Sequence, residues 1–212
     1  MHIFLATRDL EPLEIIIEDD PAIFGPNHDT GPSCLECLLP VTGEFLCPKC
    51  SLPLCGPTCC DGPNHFPECQ IFSKLLPTGY EFRVKVDREL QEGQKKLVCP
   101  EYCCIAPLRA LELKRNNPKM WRRLMLLMDH EEERKTESEM TEMFQINVVD
   151  FLTKVCGLDY DPDEIFQVLG IIRTNALQVI DPVMKMHGAS GRVVYPTLSY
   201  MSHSCICNAR YR

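Results

Sequence analysis

Seven cysteines and one histidine fall between Cys34 and Cys69 as four short pairs: Cys34-x2-Cys37, Cys47-x2-Cys50, Cys55-x3-Cys59 and His65-x3-Cys69. Pairs at this spacing chelate, because a tight turn brings both donor atoms within the ~2.0–2.3 Å that Zn–N and Zn–S bonds require. Eight donors fill two closed tetrahedral sites with no position left for water or substrate. The expected cofactors are therefore two structural Zn2+ ions, and no catalytic residue is assigned. Such a segment folds with its metal, which contributes ~10–16 kcal/mol in zinc-finger peptides. Its own large hydrophobic residues are few: Leu35, Leu38, Leu39, Phe45, Leu46, Leu52 and Leu54.

Disulfides are the competing use of fourteen cysteines. The start, MHIFLATRDLEPLEIIIEDD, has no basic region followed by a long apolar stretch, so a reducing compartment, nucleus and/or cytoplasm, is expected. No apolar run approaches the ~20 residues of a membrane span. The 212 residues suit one or two domains, and 45% hydrophobic content suits a packed core. A net charge of -8 opposes attraction to phosphate backbones, so protein partners are expected and nucleic acid is not.

The elements that must position the donors follow from the flanking sequence. HIFLAT and LEIIIE, within residues 3–17, read as two short strands separated by Arg8-Asp9, with a Pro/Gly/Asn-rich stretch from Pro21 to Pro32. An isolated ribbon is marginal in water, so these strands need partners later in the chain. Helices are expected over 107–115 and from Pro118, where Trp121, Leu124, Met125 and Met128 recur at helical spacing as a core-facing stripe. The charge run Glu131 to Lys135 reads as the solvated continuation of the second. A further helix spans about Glu139 to Cys156, ending near Gly157. Another starts at Asp161-Pro162-Asp163-Glu164, with Asp as N-cap and Pro at the first helical position. From Gly188 a glycine turn and a β-rich run follow. Cys99, Cys103, Cys104 and Cys156 read as small buried hydrophobes. No repeat, Gly-rich phosphate loop or serine-hydrolase motif is evident.

The order C-x2-C, C-x2-C, C-x3-C, H-x3-C resembles the MYND zinc finger. The resemblance implies interleaved pairs, with Cys34, Cys37, Cys55 and Cys59 on one zinc and Cys47, Cys50, His65 and Cys69 on the other. Cys60 beside Cys59 leaves a one-residue ambiguity, which Cys59 resolves by preserving C-x3-C. MYND fingers are mainly protein-interaction modules that often take proline-containing peptides.

Ser202-His203-Ser204-Cys205-Ile206-Cys207-Asn208 resembles the Asn-His-Ser-Cys-x-Pro-Asn signature of SET-domain methyltransferases. With the finger, it resembles the SET and MYND lysine methyltransferase family, in which the finger is inserted into a split SET domain. ATRDLEPLEIIIEDDPAIFGP is similar to the first SET strands of arthropod members, and GIIRTNALQV and VVYPTLSYMSHSC are similar to later SET segments. The implied fold is α+β: an incomplete split SET β-fold with an inserted MYND double-zinc finger and a helical segment. Its implied organisation is N-terminal SET strands (1–33), finger (34–69), helical linker and insert region (70–187) and start of the C-terminal SET segment (188–212).

The resemblance implies that Asn175, Ser199, Ser202 and His203 line a pocket for S-adenosylmethionine, with lysine-rich proteins such as histones as substrates. Read alone, His203 is as well a hydrogen-bonded histidine in a turn. Ser202 stands where the signature has asparagine, and Cys207 where it has proline. The family's Gly-Arg-Gly-type loop and its later strands, with the catalytic tyrosine, have no counterpart here. Cys205 and Cys207 would join the post-SET zinc site of a longer chain. The expectation is a catalytically impaired relative, or alternatively a non-enzymatic MYND adaptor or transcriptional co-regulator.

Overall fold

The computed structural model describes residues 4–27, 32–82, 85–86, 97–98, 101–130, 133, 138–180 and 189–210. Strand β1 is Ile23–Pro26, and the cysteine-rich segment follows it and runs into helix α1, Phe66–Phe72. A two-residue ladder pairs β2 (Lys85–Val86) with β3 (Leu97–Val98). Helices α2 (Tyr102–Asn116), α3 (Pro118–Leu124) and α4 (Ser138–Phe144) lead into a π-helix, Gln145–Val155. Helix α5 (Pro162–Asn175) then precedes strands β4 (Leu177–Ile180) and β5 (Ala189–Val194). The architecture is α+β.

The three-stranded sheet has the order β1-β5-β4, antiparallel throughout, with Ile23 opposite Val194 and Leu177 opposite Val193. It is closed by residues from either side of the cysteine-rich segment and the helices. Gly25 is the point where β1 meets α2: a Cβ there would lie 2.9 Å from the Ala106 Cβ, so only glycine permits the approach.

Helix α2 is the axis of the core. Ile105, Leu108 and Leu111 are buried together with Phe72, Leu124, Leu152, Ile165 and Ile171. The helix lacks a polar stripe because it is covered on nearly every side. It starts five residues before the expected 107 and carries Pro107 in its second turn, at the loss of one backbone N–H donor. Leu35, Leu52 and Leu54 belong to this same core, so the cysteine-rich segment is not a separate bead held by metal alone.

The start of α5 follows its sequence: Asp161 caps it by accepting from the Asp163 N–H at 3.0 Å, and Pro162 opens the first turn. The helix expected over 139–156 is present, but its second half widens. Cys156 N–H reaches back five residues to the Phe151 carbonyl at 2.9 Å, and Gly157 at φ +65° ends it. Helix α3 stops at Leu124; Trp121 and Met125 pack against the core, whereas Met128 is exposed. The charge run 131–135 lies, apart from Glu133, outside the described residues, as does Cys99. Cys104 is buried, and Cys103 and Cys156 are partly so.

One expectation fails in the N-terminal segment. No strand forms among the described residues of 3–17; the strand lies further on, at 23–26, in the stretch that reads as a loop. Among the described residues these apolar runs have no strand beside them to complete a ladder. Leu13 and Ile15 are exposed, while Arg8 folds back onto the Glu14 carboxylate. The segment is anchored by Asp19 instead. Its carboxylate accepts from the N–H groups of Thr197 (2.6 Å) and Leu198 (3.2 Å), the Thr197 hydroxyl (2.8 Å) and Arg123 (3.0 Å). None of the described helices is long and apolar enough to cross a membrane.

Candidate metal centre

Two cysteine loops are built alike. In the first, Cys34 N–H donates to the Leu39 carbonyl at 2.9 Å and Leu38 N–H to the Cys34 carbonyl at 2.8 Å. In the second, Cys47 N–H donates to Leu52 and Ser51 N–H to Cys47, both at 2.8 Å. Each loop turns through a left-handed residue, Leu38 (φ 60°) and Ser51 (φ 61°), and is closed by a bridge, Ser33 to Pro40 and Leu46 to Pro53. The shared pattern Cys-x2-Cys-x-Leu-Pro is visible in SCLECLLP and LCPKCSLP. The absence of a repeat expected from sequence is thus corrected: a short one exists, masked by its seven-residue length and by the unlike residues between the cysteines. Leu35 N–H to the Pro53 carbonyl (3.3 Å) ties the first loop to the second, and Leu54 N–H to the Phe45 carbonyl (3.1 Å) closes the base of the second.

Of the other two pairs, His65 and Cys69 lie on one helical turn, the Cys69 N–H reaching the His65 carbonyl at 3.1 Å, so their side chains share a face. Cys55 precedes the 3-10 turn Pro57–Cys59, separated from it by the extended Gly56, and Cys59 closes that turn with its N–H on the Gly56 carbonyl at 3.1 Å. The result is two groups of donors, Cys34, Cys37, Cys55 and Cys59, and Cys47, Cys50, His65 and Cys69, whose ligand atoms lie within 4.8 Å of one another in each group. The groups alternate along the chain, first and third pairs together, second and fourth together. Cys60 stays out of both, its thiol 3.9 Å from the Gly56 carbonyl.

The spacing of the donor atoms suits zinc. Bonds of ~2.3 Å to sulfur and ~2.0–2.1 Å to nitrogen give a tetrahedron with edges of ~3.8 Å between sulfurs and ~3.5 Å from sulfur to nitrogen. Cys47 Sγ lies 3.8 Å from Cys69 Sγ, Cys50 Sγ 3.5 Å from His65 Nε2, and Cys37 Sγ 3.5 Å from Cys55 Sγ. These separations are far too long for disulfides, and the described cysteines are free thiols. Each group could hold one zinc ion.

Charge makes the same demand. In each loop the first cysteine is shifted towards ionisation. Burial opposes ionisation of Cys47, but hydrogen bonds from His65 and from the Cys50 and Lys49 N–H groups bring it down to about 7. Burial likewise opposes ionisation of Cys34, and the N–H groups of Cys37, Cys55 and Glu36 lower it. Cys50, Cys55, Cys59 and Cys69 are pushed up by burial and by these neighbours, Cys59 and Cys69 to about 11. Without a cation beside them these thiols favour the neutral form. A bound dication lets the other thiols ionise as well.

Four residues that the sequence reading passed over organise this region. The carboxylate of Glu36, between Cys34 and Cys37, accepts from His65 N–H at 2.8 Å and from the Asn64 amide at 3.1 Å, so one donor group is stitched to the other. Glu68 and Arg109 are paired in the interior beside His65, and Arg109 also donates to the Leu35 carbonyl at 2.6 Å. The one available signal was Glu68 itself, three residues after a ligand histidine and adjacent to a ligand cysteine. Arg109, far along the chain, gave none. Tyr102 adds an anchor, its hydroxyl donating to the Ser33 carbonyl at 3.0 Å.

The residues expected to line a methyl-donor pocket are placed as follows. Asn175 ends α5 and its amide donates to the Met128 and Ile171 carbonyls, both at 2.8 Å. Ser199 donates to the Tyr195 carbonyl at 2.8 Å. Ser202 and His203 are exposed, with His203 Nε2 3.5 Å from Cys205 Sγ. The side-chain hydrogen bonds of Asn175 and Ser199 are thus local or to the neighbouring turn, and none joins one member of the set to another. Searches against protein-family models and against curated proteins return no match to this chain.

Proposed function

We propose that this chain is a two-zinc, MYND-type protein-recognition module carried on a scaffold related to SET methyltransferases and impaired in methyl transfer. The observation that carries the reading is the pair of alternating four-donor groups, with atom spacings that suit tetrahedral zinc. Closed sites of three or four thiolates hold metal for structure and leave nothing for substrate. The function then resides on the surface that the metals make rigid. Leu39, Leu46 and Phe66 are exposed on that surface, and the net charge of -8 favours proline-containing or lysine-rich protein segments over nucleic acid.

A sheet closed from both sides of the finger supports the scaffold assignment. Exposure of Ser202 and His203, together with Ser202 in place of asparagine, supports impairment. Metal analysis of purified chain tests the first part, with two zincs per chain expected; well under two overturns it. Calorimetric titration with S-adenosylhomocysteine tests the second. No binding at millimolar ligand is expected, and micromolar binding lost on His203→Ala would instead establish a working donor pocket.

A further inference from the structure

We infer that Glu68, clamped by Arg109, positions the His65 imidazole as a metal ligand; this rests on the zinc reading of that donor group. His65 is fully buried and turns Nε2 towards Cys50 Sγ at 3.5 Å. Its other nitrogen, Nδ1, is buried and has no hydrogen-bond partner, with Glu68 Oε1 3.5 Å away. A buried polar atom left in this state costs ~1–3 kcal/mol. When Nε2 ligates a metal, the neutral ring must carry its proton on Nδ1, where it faces the Glu68 carboxylate. A small rotation of the ring then turns a loose contact into a charge-assisted hydrogen bond.

Glu68 is itself fully buried, and a carboxylate in such a place requires a charge partner. Arg109 supplies it through a two-point fork, Nε to Oε2 at 3.1 Å and Nη2 to Oε1. The guanidinium is held in turn from three further directions. It donates to the Leu35 carbonyl at 2.6 Å and the Phe24 carbonyl at 3.0 Å, and it lies over the Phe24 ring, 4.8 Å from the centroid. A chain of contacts therefore runs from strand β1 through Arg109 and Glu68 to Nδ1 of the ligand ring. The all-cysteine group has no histidine for such a chain to act on, so the effect is confined to one of the two metals.

The test uses the full chain loaded with two zincs, or with cobalt(II), which separates the groups because three thiolates and an imidazole impose a different ligand field from four thiolates. Metal is withdrawn by a competing chelator from wild type and from Glu68→Gln. The expected result is a 10–100-fold weaker hold on the histidine-containing group, the usual cost of removing such a partner, with the all-cysteine group unchanged. Nitrogen-15 NMR of wild type is expected to show the His65 proton on Nδ1. Should Glu68→Gln fail to fold, Arg109→Lys, which keeps the charge and loses the fork, is measured in the same way. Unchanged release, equal weakening of both groups, or a proton on Nε2 overturns the inference while two retained zincs leave the function reading intact. A wild-type chain that takes up no zinc overturns both.

Discussion

The two donor groups share a loop design and differ in where they sit. All four donors of the histidine-containing group are buried, one on the helical turn of α1 and one at its start, with charged side chains packed behind them. The all-cysteine group buries Cys34 alone among its donors, and Cys37 and Cys55 are exposed. The same chelating turn is thus a core element in one place and a surface element in the other. Spacing specifies the metal; the surroundings specify how much of the fold depends on it.

The largest predicted effect separates them directly. Cys47→Ser removes a buried donor from the shared core and is expected to abolish the cooperative thermal transition, in line with the ~10 kcal/mol scale of structural zinc. Cys37→Ser is expected to leave one zinc and most helical circular dichroism. Equal damage from the two would erase the distinction.

Glu36→Ala comes next, since its carboxylate joins the groups through His65 N–H. Orphaning that donor, while the Asn64 amide keeps its bond to the residue-36 carbonyl, is expected to cost about 1–3 kcal/mol in denaturant unfolding and to weaken both metals. Loss confined to one group would show that the stitch transmits nothing.

Asp19 offers a control remote from the metals. Burial opposes its charge, but Thr197, Leu198 and Arg123 outweigh it and hold its carboxyl below the ordinary range. A group lowered on folding stabilises fully above its unfolded value of ~3.9 and ceases to do so as pH falls through the folded one. Asp19→Asn is expected to lower stability by about 1–3 kcal/mol at neutral pH, with the gap from wild type closing under acid. A gap constant with pH would refute the charge-based account. Zinc content at neutral pH should be unaltered.

The smallest effect concerns the loop turns. Ser51 stands in the left-handed region, at a cost of ~1–2 kcal/mol for a residue with a Cβ. Glycine removes that cost but adds ~0.5–1 kcal/mol of chain entropy, so Ser51→Gly is expected to stabilise by under ~1 kcal/mol, measured as a rise in the unfolding midpoint. A fall would mean that the Ser51 side chain contributes more than its backbone conformation costs.

Local chemistry made much of this readable. Cys-x2-Cys and Cys-x3-Cys mark chelating turns because the geometry is completed within five residues, and Asp161-Pro162 marks a helix start for the same reason. The grouping of pairs required a family resemblance, since nothing local tells Cys37 that its neighbour is Cys55. Strand β1 was hidden because IFGP reads as a turn until β5 is laid beside it. LEIIIE misled in the opposite sense, offering strand-forming residues to a ladder absent from the described structure. Arg109 sits in PLRALELKR, where an arginine on a helix is ordinarily solvated; only folding reveals that it is buried against Glu68.

The closure of the sheet also sets a schedule for synthesis. All eight candidate metal donors, α1 and the central helix have been synthesised by residue 116, so the half that carries both donor groups can collapse early. Strand β1 is made before any of it, yet its partner β5 begins only at residue 189. Through most of translation the chain therefore carries an unpaired strand edge, the surface on which strands from different copies pair. On the proposed zinc reading, metal supply during that interval is expected to set whether β1 waits against a packed α2 or in the open.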